Sequence, residues 1–465
     1  MQNLISKWGT AAHLALTLVA PLLLFPFFGA EDVASVLFWM SIVSLIWVLM
    51  EPSRLKGEYS YDARARVFNE TIHDPLFWGS LVFLVIGFIR YLNDGVAIVY
   101  NAEKYVWELS TPASPFLPAA LKGSAWPPLT MLLTLVVTLA GCRHALGRRA
   151  RICFLSLLSF FAGIGAIVAV IAFYTENPRV LQEVMRPWDS SSFVGTGFGI
   201  AFVAGLAGLA GLFDCHERKA IFPVSIGVGA CAMGLIFFSP AAVILPFLGL
   251  GLIVILLSVG YLFQQMSKVE AYKYISMVLI ASLVPILALV SLKTDALLAD
   301  RMMFWTSGTL FPANYETLHS RLNEIALTGW TDHTWLGTGT GTFPSIVRFQ
   351  AQPADWALFT SKSVWASNVW LVTLTETGVL GILLALTVPA YLLVTLVFRL
   401  VNGKKNFFWV SVVLGVLLTV FLGVEAWFDA TLLRPEVCLM GLAVLAIAVK
   451  TIPQKPRGSL ELKAS

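Results

Sequence analysis

Residues 365–397 read WASNVWLVTLTETGVLGILLALTVPAYLLVTLV. From Val369 onward the run is long and apolar enough to cross a bilayer, for which a helix needs about 20 such residues. Its leading end nevertheless carries Ser367, Asn368 and Glu376. Such groups cost free energy in hydrocarbon unless something binds them. The rest of the chain is of the same kind: 58% of the 465 residues are hydrophobic and 12% are charged. A soluble domain carries about 25% charge. Long apolar runs recur throughout, without the short alternating segments of a membrane barrel. The sequence therefore predicts an all-α, polytopic membrane protein.

The runs predict about twelve transmembrane helices, at 11–28, 33–50, 76–93, 126–142, 153–173, 193–213, 220–239, 241–264, 273–293, 368–398, 408–424 and 436–450. Only Ser239-Pro240 divides the 220–264 pair, and proline either ends a helix or kinks it. The first run leads to no small-x-small cleavage site and reads as an uncleaved helix. Basic residues cluster at Arg54, Lys56, Arg64 and Arg66, and again at Arg143, Arg148, Arg149 and Arg151. Placed inside, these clusters put both termini in the cytoplasm.

The organisation that follows has nine helices in 1–293, one large outer loop at 294–366, three helices in 367–450 and a disordered basic tail at 451–465. Within the loop, Tyr315, Leu318, Leu322 and Ile325 fall on one face of a helix, with Asn314 as its N-cap. The five cysteines show no CxxC or other paired spacing and read as small buried hydrophobes. A net charge of +4 is too small to point to nucleic acid.

After the loop helix comes TGWTDHTWLGTGTGTFPS, residues 328–345, where Gly337, Gly339 and Gly341 alternate with threonine just beyond Asp332-His333. Alternating glycine lets backbone approach a ligand closely, so that its amides can meet an anion. A plain tight turn needs the same glycines, and both readings stand. A P-loop is excluded, because no Lys-Ser/Thr follows.

Arg321, Asp332-His333, Gly337, Gly339, Gly341 and Phe343, followed by Asn368, Glu376, Gly378 and Gly381, form a pattern that resembles the O-antigen ligase and O-antigen polymerase superfamily. The likeness covers about Arg321 to Leu383, and the predicted helix layout is similar. It departs at Ser367, where the family places histidine, and at Pro240 in Ser239-Pro240-Ala241-Ala242, where the family places arginine. The resemblance implies a bacterial inner-membrane glycosyltransferase of surface polysaccharide assembly. Such an enzyme works at the periplasmic face without metal or cofactor. Its implied partners are membrane lipid, an undecaprenyl-diphosphate-linked glycan donor, a glycan or lipid acceptor and other assembly proteins.

That chemistry needs cations for the leaving diphosphate and a base for the acceptor hydroxyl. An unassisted serine is too weak a base, so His333 with Asp332 is the replacement candidate. The competing reading is a loop imidazole and a turn-capping carboxylate. Arg321, Arg301 and Arg348 are the candidate diphosphate ligands, and Arg179 and Arg186 could serve in the same way; a rim position is the competing reading for each except Arg321, with Arg90 snorkelling from its span. Ser367, Asn368, Gly339 and Gly341 complete the expected substrate contacts. Glu376, about 12 Å deeper than Asn368 along the helix, is either functional or paired to an internal group. Two other readings compete with transfer: a catalytically degenerate relative that binds glycan or a partner subunit, and a polysaccharide transporter, although no internal repeat is visible.

Overall fold

The computed structural model describes residues 2–27, 68–111, 116–121, 148–178, 193–214, 218–239, 241–265, 267–291, 315–353, 368–402, 407–428 and 435–449, with a few isolated positions besides. The helices are α1 (Gln2–Leu24), α2 (Pro75–Leu92), α3 (Arg148–Tyr174), α4 (Phe193–Asp214), α5 (Ile221–Phe238), α6 (Ala241–Gln265) and α7 (Lys268–Ser291). They continue with α8 (Tyr315–Asp332), α9 (Phe343–Gln350), α10 (Val369–Asn402), α11 (Phe407–Phe428) and α12 (Pro435–Val449). One two-stranded antiparallel ribbon, β1 (Ile98–Asn101) and β2 (Val106–Leu109), interrupts them.

Among the described residues, 7 helices are long and apolar enough to cross a membrane, and three shorter apolar helices accompany them. The chain is a helical, polytopic membrane protein. The predicted segments at 126–142 and most of 33–50, the cap at Asn314 and the tail 451–465 lie outside the described residues.

The bundle forms around α4, whose sequence FVGTGFGIAFVAGLAGLAGLFD is apolar on every side and buried throughout its span. Lipid supplies no hydrophobic drive between helices, so close van der Waals packing through small residues must do so. Gly163 of α3 and Gly227 of α5 meet backbone to backbone: a Cβ on Gly163 would stand 2.8 Å from the Gly227 Cα. A Cβ on Gly229 would likewise crowd the backbone of Ser282 in α7.

Polar and aromatic links gather one end of the bundle. Phe25 beyond α1 meets Phe238 of α5 edge to face at 5.8 Å. Asn177 past α3 donates to the Pro26 carbonyl at 2.9 Å. Thr196 in the first turn of α4 donates to Glu425 of α11 at 2.8 Å. Trp370 at the start of α10 donates to the Gly423 carbonyl of α11 at 3.2 Å. The same end carries α8, α9 and the backbone between them.

The predicted span at 368–398 differs from the structure in one respect. Gly378 sits at φ 66, ψ −172 and breaks α10 into a short leading segment and the long span behind it. A side chain there would be strained by the backbone angle and would collide with the Trp335 carbonyl. The ribbon was not expected either; its Val, Ile, Tyr and Trp content is the signal that was available.

Candidate functional site

The site grows from the break in α10. Interrupting a helix leaves carbonyls without donors before the break and amides without acceptors after it. At membrane depth such groups must be satisfied within the protein. The glycine-rich turn does this on both sides. Thr338 N donates to the Thr375 carbonyl at 2.9 Å and Gly339 N to the Glu376 carbonyl at 3.0 Å. In return, the Thr334 and Trp335 carbonyls accept from Val379 N at 3.0 Å and Leu380 N at 3.3 Å. Gly337, Gly339 and Gly341 all have positive φ (71°, 118° and 82°), which is why glycine alternates here.

Arg90 closes the remaining gaps from α2. Its Nη1 donates to Thr340 Oγ1 at 2.9 Å, and its Nη2 reaches the Leu336 and Thr377 carbonyls, each at 3.4 Å. The residue is 7% exposed. The expected snorkelling is thereby corrected: the loop folds over the guanidinium, and three oxygens of the turn and the break replace water. Arg90 Nε has no hydrogen-bond partner among the described residues. Backbone further ties the two regions, since Val96 N donates to the Thr338 carbonyl at 3.0 Å and Leu121 N to the Thr340 carbonyl at 2.9 Å.

Glu376, also 7% exposed, points into the turn. Its Oε1 accepts from Phe343 N at 3.1 Å, and the Gly341 amide bonds the same carboxylate. The acid thus satisfies the first amides of α9, where negative charge is favoured, and Arg90 supplies an attracting charge nearby. The Gly339 amide is committed to the Glu376 carbonyl and the Gly341 amide to its carboxylate, so the anion met in this turn is the protein's own.

An apolar patch holds α8 in place. Leu322, Ile325 and Ala326 bury against Phe343, Ile346 and Val347 of α9 and Val372 of α10. The stripe read from the sequence therefore packs on α9 and the leading segment of α10. Thr375 Oγ1 donates to the Ala326 carbonyl at 2.8 Å and ties α10 to α8 directly.

Arg321 stands on the same helix, with its Nε on Asp355 at 3.0 Å and its Nη1 on Glu324 at 2.6 Å. The two carboxylates raise its pKa, Glu324 foremost. Asp355 is held below its ordinary range by the Gln352 amide and then by Arg321. His319, whose Nε2 meets Asn323 Nδ2 at 3.2 Å, has its pKa lowered by burial. His333 is half-buried at the end of α8, where its carbonyl accepts from Gly337 N at 2.9 Å. Asp332 beside it and Arg348 on α9 are exposed.

Asn368 is fully buried and starts α10, its Oδ1 accepting from Leu371 N at 3.1 Å. Its Nδ2 has no partner among the described residues. Gly381 lies in the span beyond the break, against Thr377. Ser367, Arg301, Arg186 and Pro240 lie outside the described residues, as does Arg179.

The structure thus brings together the glycine turn, Glu376, Gly378 and Arg90 in one bonded unit, with His333 at its edge. Arg321 belongs to a neighbouring pair of carboxylates. No protein-family model matches the sequence, and no curated protein matches it.

Proposed function

We propose that the chain acts on undecaprenyl-diphosphate-linked glycan at the periplasmic face of a bacterial inner membrane, as an O-antigen ligase-like or polymerase-like glycosyltransferase. In this reading the chain crosses the membrane about twelve times, with both termini inside and the 294–366 loop outside between the ninth and tenth helices. One observation carries the proposal. The two stretches that bear the resemblance, 328–345 and 368–381, bond to each other group by group, through Thr338 N to the Thr375 carbonyl and Gly339 N to the Glu376 carbonyl. Residues forming one unit are what a shared active site requires.

The reaction breaks the bond from the anomeric carbon to the diphosphate oxygen, which leaves with the electron pair. A new bond forms from that carbon to the acceptor oxygen, whose proton passes to a base. His333 beside Asp332 takes the proton, since Ser367 is too weak a base. Arg321, with Arg301 and Arg348, stabilises the departing diphosphate. Gly339 and Gly341 shape the turn, Asn368 stands at the start of α10, and Ser367, which precedes it in the sequence, contributes a further substrate contact. The site uses no metal or cofactor.

A second reading has its own support: a degenerate relative that binds lipid-linked glycan or a partner subunit without transferring sugar. Arg321 already bonds Asp355 and Glu324, and the amides of Gly339 and Gly341 are occupied by Glu376. A glycan-production assay separates the two. Loss of polymer with His333→Ala, and retention or gain with Ser367→His, supports transfer with a replaced base. Full production by His333→Ala removes His333 from the mechanism.

A further inference from the structure

We infer that the β1–β2 ribbon is a membrane-interface anchor, its aromatic face seated among the lipid headgroups of the bilayer that α2 crosses. The antiparallel register pairs Ile98 with Leu109 and Tyr100 with Trp107, which puts these four side chains on one face. Tyr100 and Trp107 are exposed, their rings 5.2 Å apart and tilted. Tyr105 at the tip is 81% exposed and held in the left-handed region at φ 54. Tyrosine and tryptophan favour the headgroup level, where an apolar ring body and a polar edge are both accommodated.

Lys104 and Glu108 of the ribbon pair, and Asn101 joins them. Asn101 Nδ2 donates to Glu108 Oε2 at 3.0 Å, and Lys104 Nζ meets Glu108 Oε1 at 3.0 Å. Asn101 Oδ1 also caps the turn, accepting from Glu103 N and Lys104 N. Pairing of this kind lowers the cost of bringing the ribbon to a surface of low dielectric.

Continuity with the lipid-facing side of α2 identifies the occupant. Trp78, Val82, Val85, Phe88 and Leu92 are exposed and recur every three or four residues as one stripe along the helix. At its end, Asn93 folds the return segment back: its Nδ2 donates to the Ser114 and Leu117 carbonyls, and its Oδ1 accepts from Ser114 N. Phe116, 89% exposed, therefore stands beside the last turn of the stripe. Phe116 extends the apolar stripe of α2, so lipid fits this surface better than glycan. Because Val96 and Leu121 are bonded to the glycine turn, an anchored ribbon fixes the height of that turn relative to the headgroups. The inference needs only that α2 spans the membrane and holds whether or not the chain transfers glycan.

Spin labelling tests it. Tyr105→Cys and Phe116→Cys are made in the full chain with its native cysteines replaced by alanine, labelled with a nitroxide and reconstituted in phosphatidylethanolamine–phosphatidylglycerol vesicles. Collision rates with oxygen and with a water-soluble nickel chelate are compared with those of free label and of a label at Val85→Cys in mid-span. Both ribbon labels should give an oxygen-to-nickel ratio severalfold above free label and below the mid-span value. A ratio equal to that of free label overturns the inference. Shielding from both reagents also overturns it, placing protein or glycan on the ribbon instead.

Discussion

Arg90 Nη1 donates to Thr340 Oγ1 at 2.9 Å, a bond between residues 250 positions apart that joins α2 to the glycine turn. The same guanidinium reaches carbonyls on the turn and at the break in α10. Lysine offers a single compact ammonium in place of a planar fork and cannot reproduce the two-nitrogen geometry that meets these oxygens. Arg90→Met is expected to cost about 1–3 kcal/mol for each buried oxygen it leaves without a donor. Arg90→Lys should recover only part of that loss. Thermal unfolding of detergent-solubilised protein measures both.

Glu376 does two jobs that substitutions can separate. Glu376→Gln keeps an oxygen for the Phe343 amide but removes the charge that faces Arg90. Glu376→Ala leaves buried amides at the start of α9 without a partner, for about 1–3 kcal/mol per orphaned group. The expected order of stability is wild type, then Gln, then Ala. Hydrogen exchange at Gly341 and Phe343 should speed up most in the alanine variant.

Gly378→Ala places a side chain at φ 66 and into the Trp335 carbonyl. That glycine-only backbone conformation alone costs about 1–3 kcal/mol for another residue, and the collision adds to it. Gly260→Ala provides the contrast, since a Cβ there meets nothing within 4 Å. It should leave stability unchanged or raise it slightly, by up to about 1 kcal/mol. Unfolding midpoints of the two variants side by side decide the point.

The Asp355–Arg321 link predicts a pH dependence of definite sign. Asp355 is held below its ordinary range, so the native state favours the ionised carboxylate. Its stabilisation is fully present above the ordinary aspartate pKa and is lost as pH falls through the lowered native value. Proteolysis of the 315–355 segment should therefore accelerate on acidification within that window. Asp355→Asn should remove its part of the pH slope and make the segment more susceptible at neutral pH.

The sequence made part of this legible. Apolar runs located α1 to α7 and α10 to α12, the spacing of Leu318, Leu322 and Ile325 gave the buried face of α8, and α9 was not anticipated. Alternating glycines marked backbone that needs positive φ. Arg90 was hidden, because an arginine one turn from the end of a span reads as snorkelling, and only distant residues decide that it is buried. Glu376 was visible as an intramembrane acid, but its partners, the Gly341 and Phe343 amides and Arg90, are all distant in the sequence. The break at Gly378 was masked by the unbroken apolar run around it, since nothing local announces the carbonyls that approach it.

Turnover in vesicles shows whether the bonded unit around the glycine turn serves transfer from a lipid diphosphate. Wild-type protein is given a polyprenyl-diphosphate-linked glycan and a hydroxyl acceptor, and release of polyprenyl diphosphate is followed alongside Arg321→Ala, His333→Ala and Gly260→Ala. Release is expected from the wild type and Gly260→Ala, with a fall of about a hundredfold or more for Arg321→Ala and His333→Ala. Equal release by all four proteins, or glycan binding without release by any of them, would contradict that role.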